Sequence, residues 1–458
     1  MKRLNLIILG LLTVVIARSQ ELVAPGLYAV YFKDKAGTEY TVSNPREFLS
    51  QKALDRRAKY NITITNQDLP VSPNYLQQLK DKGFKVLKVS KWLNCAIVTT
   101  DSKNGIKKLE GLDFIIPKPA PLPKNYKPKK VKAAKIKEPE KNILDKYDYG
   151  FAANQVKMLN INKLHSLGYD GSGITMAIMD AGFFKVDSLE FFDSLRIQNR
   201  LLGWYDFVDM DTTVFNTGYH GMEVLSTIAG LNNGFFVGTA PKAQFYLFRT
   251  EDENSEYPIE EYNYVCALEK ADSLGVDIVH SSLGYNDFDN DSLSYSYEDM
   301  NGNTAISTIG ADIAAAKGMI VVASAGNEGD NTWKYISAPA DADSIFAIGA
   351  VDLNGKYVDF SSRGPSVDKR IKPDVCAQGR STRVASPRKG IMYSSGTSFS
   401  GPIIAGCMAC LRQAFPDKTN IEIMNAVRAT ASHSKKPDDL TGYGIPDFYK
   451  AYLYLLKK

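Results

Sequence analysis

Histidine and cysteine are scarce in this chain, and long apolar runs are almost absent. Among 458 residues there are four histidines and five cysteines. The odd cysteine count excludes a fully paired disulfide framework. Cys407 and Cys410 are spaced C-x-x-C, but inside an apolar helical pattern with no second Cys or His cluster, so they read as buried thiols acting as small hydrophobes. No two of His165, His220, His280 and His433 stand at the spacing of a helical zinc site, which excludes that route to hydrolysis. The apolar run Leu4–Ile16 falls short of the ~20 residues a membrane span needs. Lys2 and Arg3 precede it and Ala17-Arg18-Ser19 follows it, the pattern of an export leader over residues 1–19. The expected location is therefore secreted, extracellular or periplasmic, with no membrane span. Excess charge is also lacking. The formal net is +4, but residues 118–146 carry ten lysines against Glu138, Glu140 and Asp145, a local +7, which leaves −3 for the rest. A basic excess confined to one segment gives no reason to expect a nucleic-acid partner.

What is present divides the chain into regions. Residues 20–117 alternate short strand and helix patterns: a strand from Leu27, a helix capped at Asn44-Pro45 and running through Phe48 and Leu49 toward Tyr60, and a second helix from Ser72-Pro73 to near Gly83. Strands over 84–89 and 93–100, a short helix after Ser102 and a strand over 114–116 complete a small α+β unit without a cluster of catalytic groups. Residues 118–146, rich in Lys and Pro, read as an exposed, mobile linker where proteolytic cutting concentrates. From Tyr147 to Lys458 the texture is α/β. Apolar strands over 174–179, 244–248, 276–281 and 319–323 alternate with helices over 259–271 and 306–316, which implies a largely parallel sheet flanked by helices. Active sites in such folds form at the carboxyl ends of the strands.

One stretch concentrates the chemistry: Ser394-Ser395-Gly396-Thr397-Ser398-Phe399-Ser400-Gly401-Pro402, running into an apolar helix. The first N–H groups of a helix have no internal partners and lie at the positive end of its dipole. An oxyanion formed when Ser398 attacks a carbonyl would meet such a donor. Pro402 is expected in the first turn, where its missing N–H costs nothing. A serine nucleophile needs a base, and the base needs a carboxylate. His220 opens a helix of small and apolar residues, and Asp180 ends the buried strand Ile174–Met179, where an unpaired carboxylate would be costly. Ser324-Ala325-Gly326-Asn327 follows another strand, so the Asn327 amide can donate to the oxyanion.

The Gly-Thr-Ser-x-Ser-x-Pro string, with Asp180, His220 and Ser398 in that chain order and the Ala-Gly-Asn turn, resembles the motifs of subtilisin-like serine proteases. The resemblance covers 147–458. It implies a subtilisin-like catalytic domain preceded by the α+β unit as a prodomain, an intramolecular inhibitor cut away at maturation. It implies a serine endopeptidase made as a zymogen and acting on protein or peptide substrates through an acyl-enzyme. Ser398 is then the nucleophile, His220 the base, Asp180 its orienting carboxylate and Asn327 the oxyanion donor. Ser282-Leu283-Gly284 and Ala325-Gly326 would line the substrate. The alternative is a catalytically inactive binding protein on the same fold, which normally lacks one of the four roles; here all four are filled. Met222 and Glu223 depart from the Thr and His that usually follow His-Gly. No cofactor is required for the chemistry, and Asp287, Asp289 and Asp291 are candidates for structural calcium, which family members often hold.

Overall fold

A computed structural model describes residues 20–102, 105–119, 131–136 and 143–458. The proposed leader lies outside them, as does most of the lysine-rich segment. Among the described residues no helix is long and apolar enough to cross a membrane.

The first unit is an antiparallel sheet. Strands β1 (Gln20–Ala24), β2 (Leu27–Phe32), β3 (Lys85–Ser90) and β4 (Cys95–Thr99) lie in the order β1-β2-β4-β3, and β5 (Ile115–Ile116) pairs with β2. Helices α1 (Gln51–Lys59) and α2 (Pro73–Asp81) accompany them. The helix expected from Asn44 is broken. Pro45–Glu47 forms one 3-10 turn, and α1 starts afresh because the Ser50 side chain accepts from the Ala53 N–H, while the Asn44 side chain donates to Glu47 and caps nothing. Ser72 caps α2 as its sequence implies.

The larger unit is built on seven parallel strands: β6 (Thr175–Asp180), β7 (Leu201–Asp206), β8 (Gln244–Arg249), β9 (Ile278–Ser281), β10 (Ile320–Ser324), β11 (Phe346–Val351) and β12 (Val375–Gln378). Their order is β12-β11-β10-β9-β6-β8-β7, with every neighbouring pair parallel. Alternate residues of these strands face opposite sides. Met176, Ile178, Ile278 and Val322 enter one core with α3 (Tyr219–Ala229) and α6 (Thr397–Ala414). Ala177, Met179, Val279 and Val321 enter another with α4 (Ile259–Leu274) and α5 (Ile306–Ala316). Burial on both faces explains why the central strands read as unbroken apolar runs.

The first unit covers the outer side of α4. Val23, Ala29, Tyr31, Trp92 and Ile97 join the core around Tyr262, Val265 and Leu268, so one apolar cluster spans both units. Polar contacts close its edge. The Glu269 carboxylate accepts from the Ser90 hydroxyl at 2.5 Å, the Lys91 N–H at 3.0 Å and the Trp92 N–H at 2.9 Å. Arg56 and Arg57 both reach Asp272, at 2.5 and 2.7 Å, and Lys317 reaches Asp68 at 3.0 Å, all buried.

The described parts of the segment expected to be a mobile linker are held in place. The Ala134 N–H donates to Ala429 O at 2.8 Å, at the end of α7 (Asn420–Thr430). Lys146 Nζ pairs with Asp170 at 2.7 Å. Asp170 is buried, and a buried carboxylate needs a counter-charge, which the segment supplies.

Candidate active site

Asp180 is the last residue of β6 and is fully buried. Its Oδ1 accepts the Ala181 N–H at 2.9 Å. His220 is the second residue of α3, and its Nδ1 lies 2.9 Å from Asp180 Oδ1 and 3.1 Å from Oδ2. A carboxylate can only accept, so Nδ1 carries the proton and Nε2 keeps its lone pair. The close approach depends on Gly221: a Cβ there would stand 2.3 Å from Gly182 O and 2.8 Å from Asp180 Cβ. The His220 side chain remains 35 % exposed, open to the cleft. Burial pulls its pKa down, but the Asp180 charge and hydrogen bond outweigh burial and leave it raised above 6.5.

Ser398 is the second residue of α6, so its N–H has no intrahelical partner. The next residue, Phe399, packs its ring 5.7 Å from the imidazole and brings this first turn against His220. Gly396 enters the helix at φ 153° and ψ 157°, a backbone conformation essentially reserved for glycine. Asn327 is clamped from the same turn. Its Oδ1 accepts the Thr397 N–H at 2.8 Å, and the Thr397 hydroxyl lies 3.1 Å from both Oδ1 and Gly326 O. A backbone N–H can only donate, so the amide oxygen must face Thr397, and Nδ2 is the group left for an incoming anion.

The expected place of Pro402 is corrected. It is the sixth residue of α6, inside the helix rather than in its first turn. Its missing N–H would have bonded the carbonyl four residues back, Ser398 O. Ser282 fills that position: its hydroxyl lies 2.9 Å from Ser398 O and 2.8 Å from His280 Nε2. Ser282 therefore meets the Ser398 turn through its side chain, a role that sequence reasoning missed because it arises only where Pro402 and the end of β9 meet. Leu283 and Gly284 continue the same edge, and Ala325 and Gly326 follow β10 beside it. His280 is fully buried, with Nδ1 3.1 Å from Val322 O, and burial pushes its pKa down to about 3, so it is a neutral structural group.

Glu223 lies one turn beyond His220 on α3. It is buried, its Oε2 accepts the Ser394 hydroxyl at 2.9 Å, and its Oε1 is buried without a partner. Burial raises its pKa. The aspartates of the 287–291 loop take part in hydrogen bonds within it and to the neighbouring loop 251–256. Asp287 accepts from the Ser294 hydroxyl at 3.0 Å, Asp289 accepts the Glu256 N–H at 3.1 Å, and Asp291 begins a 3-10 turn. Among the described residues no group of three or more His, Cys, Asp or Glu is arranged to hold a metal ion.

A buried Asp, a His with one nitrogen committed and one free, a serine at a helix start and a clamped amide form an arrangement able to perform acyl transfer. Residues 171–444 match the subtilase family, and residues 27–139 match the peptidase S8 propeptide domain of Bacteroidota. Subtilisin E of Bacillus subtilis (strain 168) is 29 % identical over 361 residues, 78 % of this chain and 80 % of its own. Subtilisin of Bacillus pumilus is 29 % identical over 282 residues, 61 % of this chain and 90 % of its own. Among solved structures, the prenylagaramide maturation protease PagA superposes with a TM-score of 0.50 at 24 % identity, covering 65 % of this chain and 98 % of its own. The MycP3 protease of the type VII (ESX-3) secretion system does so with 0.51 at 20 % identity, covering 68 % and 90 %. With its propeptide domain in front and the family match spanning the sheet and the site, the chain belongs to the subtilase family of serine peptidases.

Proposed function

We propose that the chain is an exported endopeptidase, made as a zymogen, that cuts peptide bonds through an acyl-enzyme on Ser398. His220 Nε2 takes the Ser398 hydroxyl proton as Oγ attacks the scissile carbonyl. The developing oxyanion is received by the Ser398 N–H and Asn327 Nδ2. His220 then gives the proton to the departing amine, and a water activated by the same nitrogen releases the acyl group. Asp180 holds the imidazole in the tautomer this requires and favours its charged form. The Nδ1 contact between His220 and both oxygens of buried Asp180 carries the reading, because it leaves the second nitrogen free to act as a base. The propeptide domain, docked on α4, is read as the intramolecular inhibitor, and the leader supports export.

The test compares the full-length chain with Ser398→Ala by gel and by hydrolysis of an unstructured protein. The expected result is shortening within 118–146 and substrate degradation by the wild type alone. Equal activity in both chains would contradict it.

A further inference from the structure

The helix that carries His220 also holds the strand leading to Ser398, and the contact is made by a residue that proton transfer does not use. After β12 the chain forms a hairpin of β13 (Thr382–Ala385) and β14 (Ile391–Ser394), antiparallel, with Thr382 opposite Ser394. Only Ser395 and Gly396 separate β14 from α6, so the end of β14 sets where the turn of Ser398 begins. That short connection is itself tied down. The Gly396 N–H donates to Gly379 O at 2.8 Å, and the Ser381 N–H donates to Ser395 Oγ at 3.0 Å.

The two strands of the hairpin are held differently. β13 is secured through its backbone: the Gln155 side chain donates to Arg383 O at 3.1 Å and accepts the Arg383 N–H at 2.9 Å, and the Ala385 N–H donates to Ser226 Oγ at 2.9 Å. β14 meets α3 through a side chain, where the Ser394 hydroxyl donates to Glu223 Oε2 at 2.9 Å. His220, Glu223 and Ser226 follow one another at three-residue steps along α3, so neighbours in this series share a side of the helix. Glu223 is a costly way to hold a serine. It is 3 % exposed, and its Oε1 is buried without a partner, so an acidic group is kept from water for one hydrogen bond. It also stands at one of the two positions that depart from the residues usually following His-Gly. A group that costs stability beside a reacting centre is expected to serve the reaction. Position matters there, because a misplacement of about 1 Å between reacting groups can cost about 10²-fold in rate.

We propose that Glu223 is a positioning residue for the acyl transfer: by holding Ser394 it seats the end of β14 on α3 and so sets the Ser398 hydroxyl against His220 Nε2. The role is exerted through Ser394 and rests on the peptidase reading above.

The test compares matured wild type, Glu223→Met, Glu223→Gln and Ser394→Ala on one peptide substrate. Rates are counted per site titrated by a serine-reactive phosphonate, so that unfolded chains are left out. Glu223→Met fills the same space without an acceptor. It and Ser394→Ala should each lower kcat by about tenfold or more and leave KM within about twofold. The double variant should be no slower than either single one, because both remove the same contact. Glu223→Gln keeps an acceptor for the hydroxyl and should hold kcat near the wild-type value. Wild-type kcat per site in both Glu223→Met and Ser394→Ala, even with a lowered Tm, would overturn the proposal and leave the peptidase reading standing. Losses that add in the double variant, or a Glu223→Gln as slow as Glu223→Met, would also overturn it. Should Glu223→Met fail to process itself, Ser394→Ala decides, since it alters a half-buried side chain outside the helix. No hydrolysis by the wild type would sink both readings.

Discussion

His220 holds its proton more tightly than a free imidazole, and in the proposed mechanism this sets the acid side of the activity profile. Burial acts against the charged ring, but Asp180 outweighs it and the pKa rises above 6.5. A general base must be neutral, so activity should fall as pH drops through that raised value. The acid limb of kcat/KM should therefore lie on the alkaline side of a free imidazole's titration, and Asp180→Asn should move it down while lowering kcat by about 10⁴-fold. Glu223 gives a second test. Burial raises its folded pKa above 4.5, with the Asp180 charge adding to the shift, so the folded chain binds more protons than the unfolded one. Stability from this group is then complete below 4.5 and is lost as pH rises toward the folded value. Glu223→Gln keeps an acceptor for Ser394 and removes the titration. In a Ser398→Ala background, which prevents self-digestion, its stability relative to Glu223 should improve as pH rises above 4.5 toward the raised folded value in denaturant titrations. The residues of the proposed reacting centre were legible because Asp180 ends a strand and His220 and Ser398 start helices, each within a short motif. Glu223 was visible only as a departure from the usual pattern, since its partner Ser394 is 171 positions away.

At the scale of elements, α6 shows why its local sequence was insufficient. Pro402 removes one helical hydrogen bond, and the freed Ser398 carbonyl is met by Ser282, the residue after β9. Ser282→Ala should cost ~1–3 kcal/mol, because a buried carbonyl loses its donor. Pro402→Ala would return an N–H to that carbonyl, so the cost of Ser282→Ala should shrink in that background. A double-mutant cycle by chemical denaturation measures the difference, and strict additivity would deny the coupling. The central strands were readable from their apolar runs, whereas β7, β11 and β12 were not. Gly203 and Gly349 interrupt the first two, which a strand pattern treats as a break, and Val375–Gln378 is too short to show a period.

For the whole molecule, the question is how the propeptide domain stays on the peptidase domain. The shared apolar cluster supplies area, and Glu269 gathers three donors from the turn 90–92. Glu269→Ala would leave those donors unpaired at the interface, costing roughly 1–3 kcal/mol or more. The expected outcome is a shorter lag between chain cleavage on a gel and the onset of hydrolysis. The two units were legible as separate patterns, but their contact was not, because Ser90, Trp92 and Glu269 carry no mark of pairing until folded. In the proposed mechanism Ser398 is a nucleophile made reactive by His220. The most direct measurement is to treat the matured wild-type chain with a serine-reactive phosphonate and locate the adduct by peptide mass spectrometry. One adduct on Ser398 is expected, formed far more slowly in His220→Ala; hydrolysis with no adduct there, or an equal rate without His220, would rule this mechanism out.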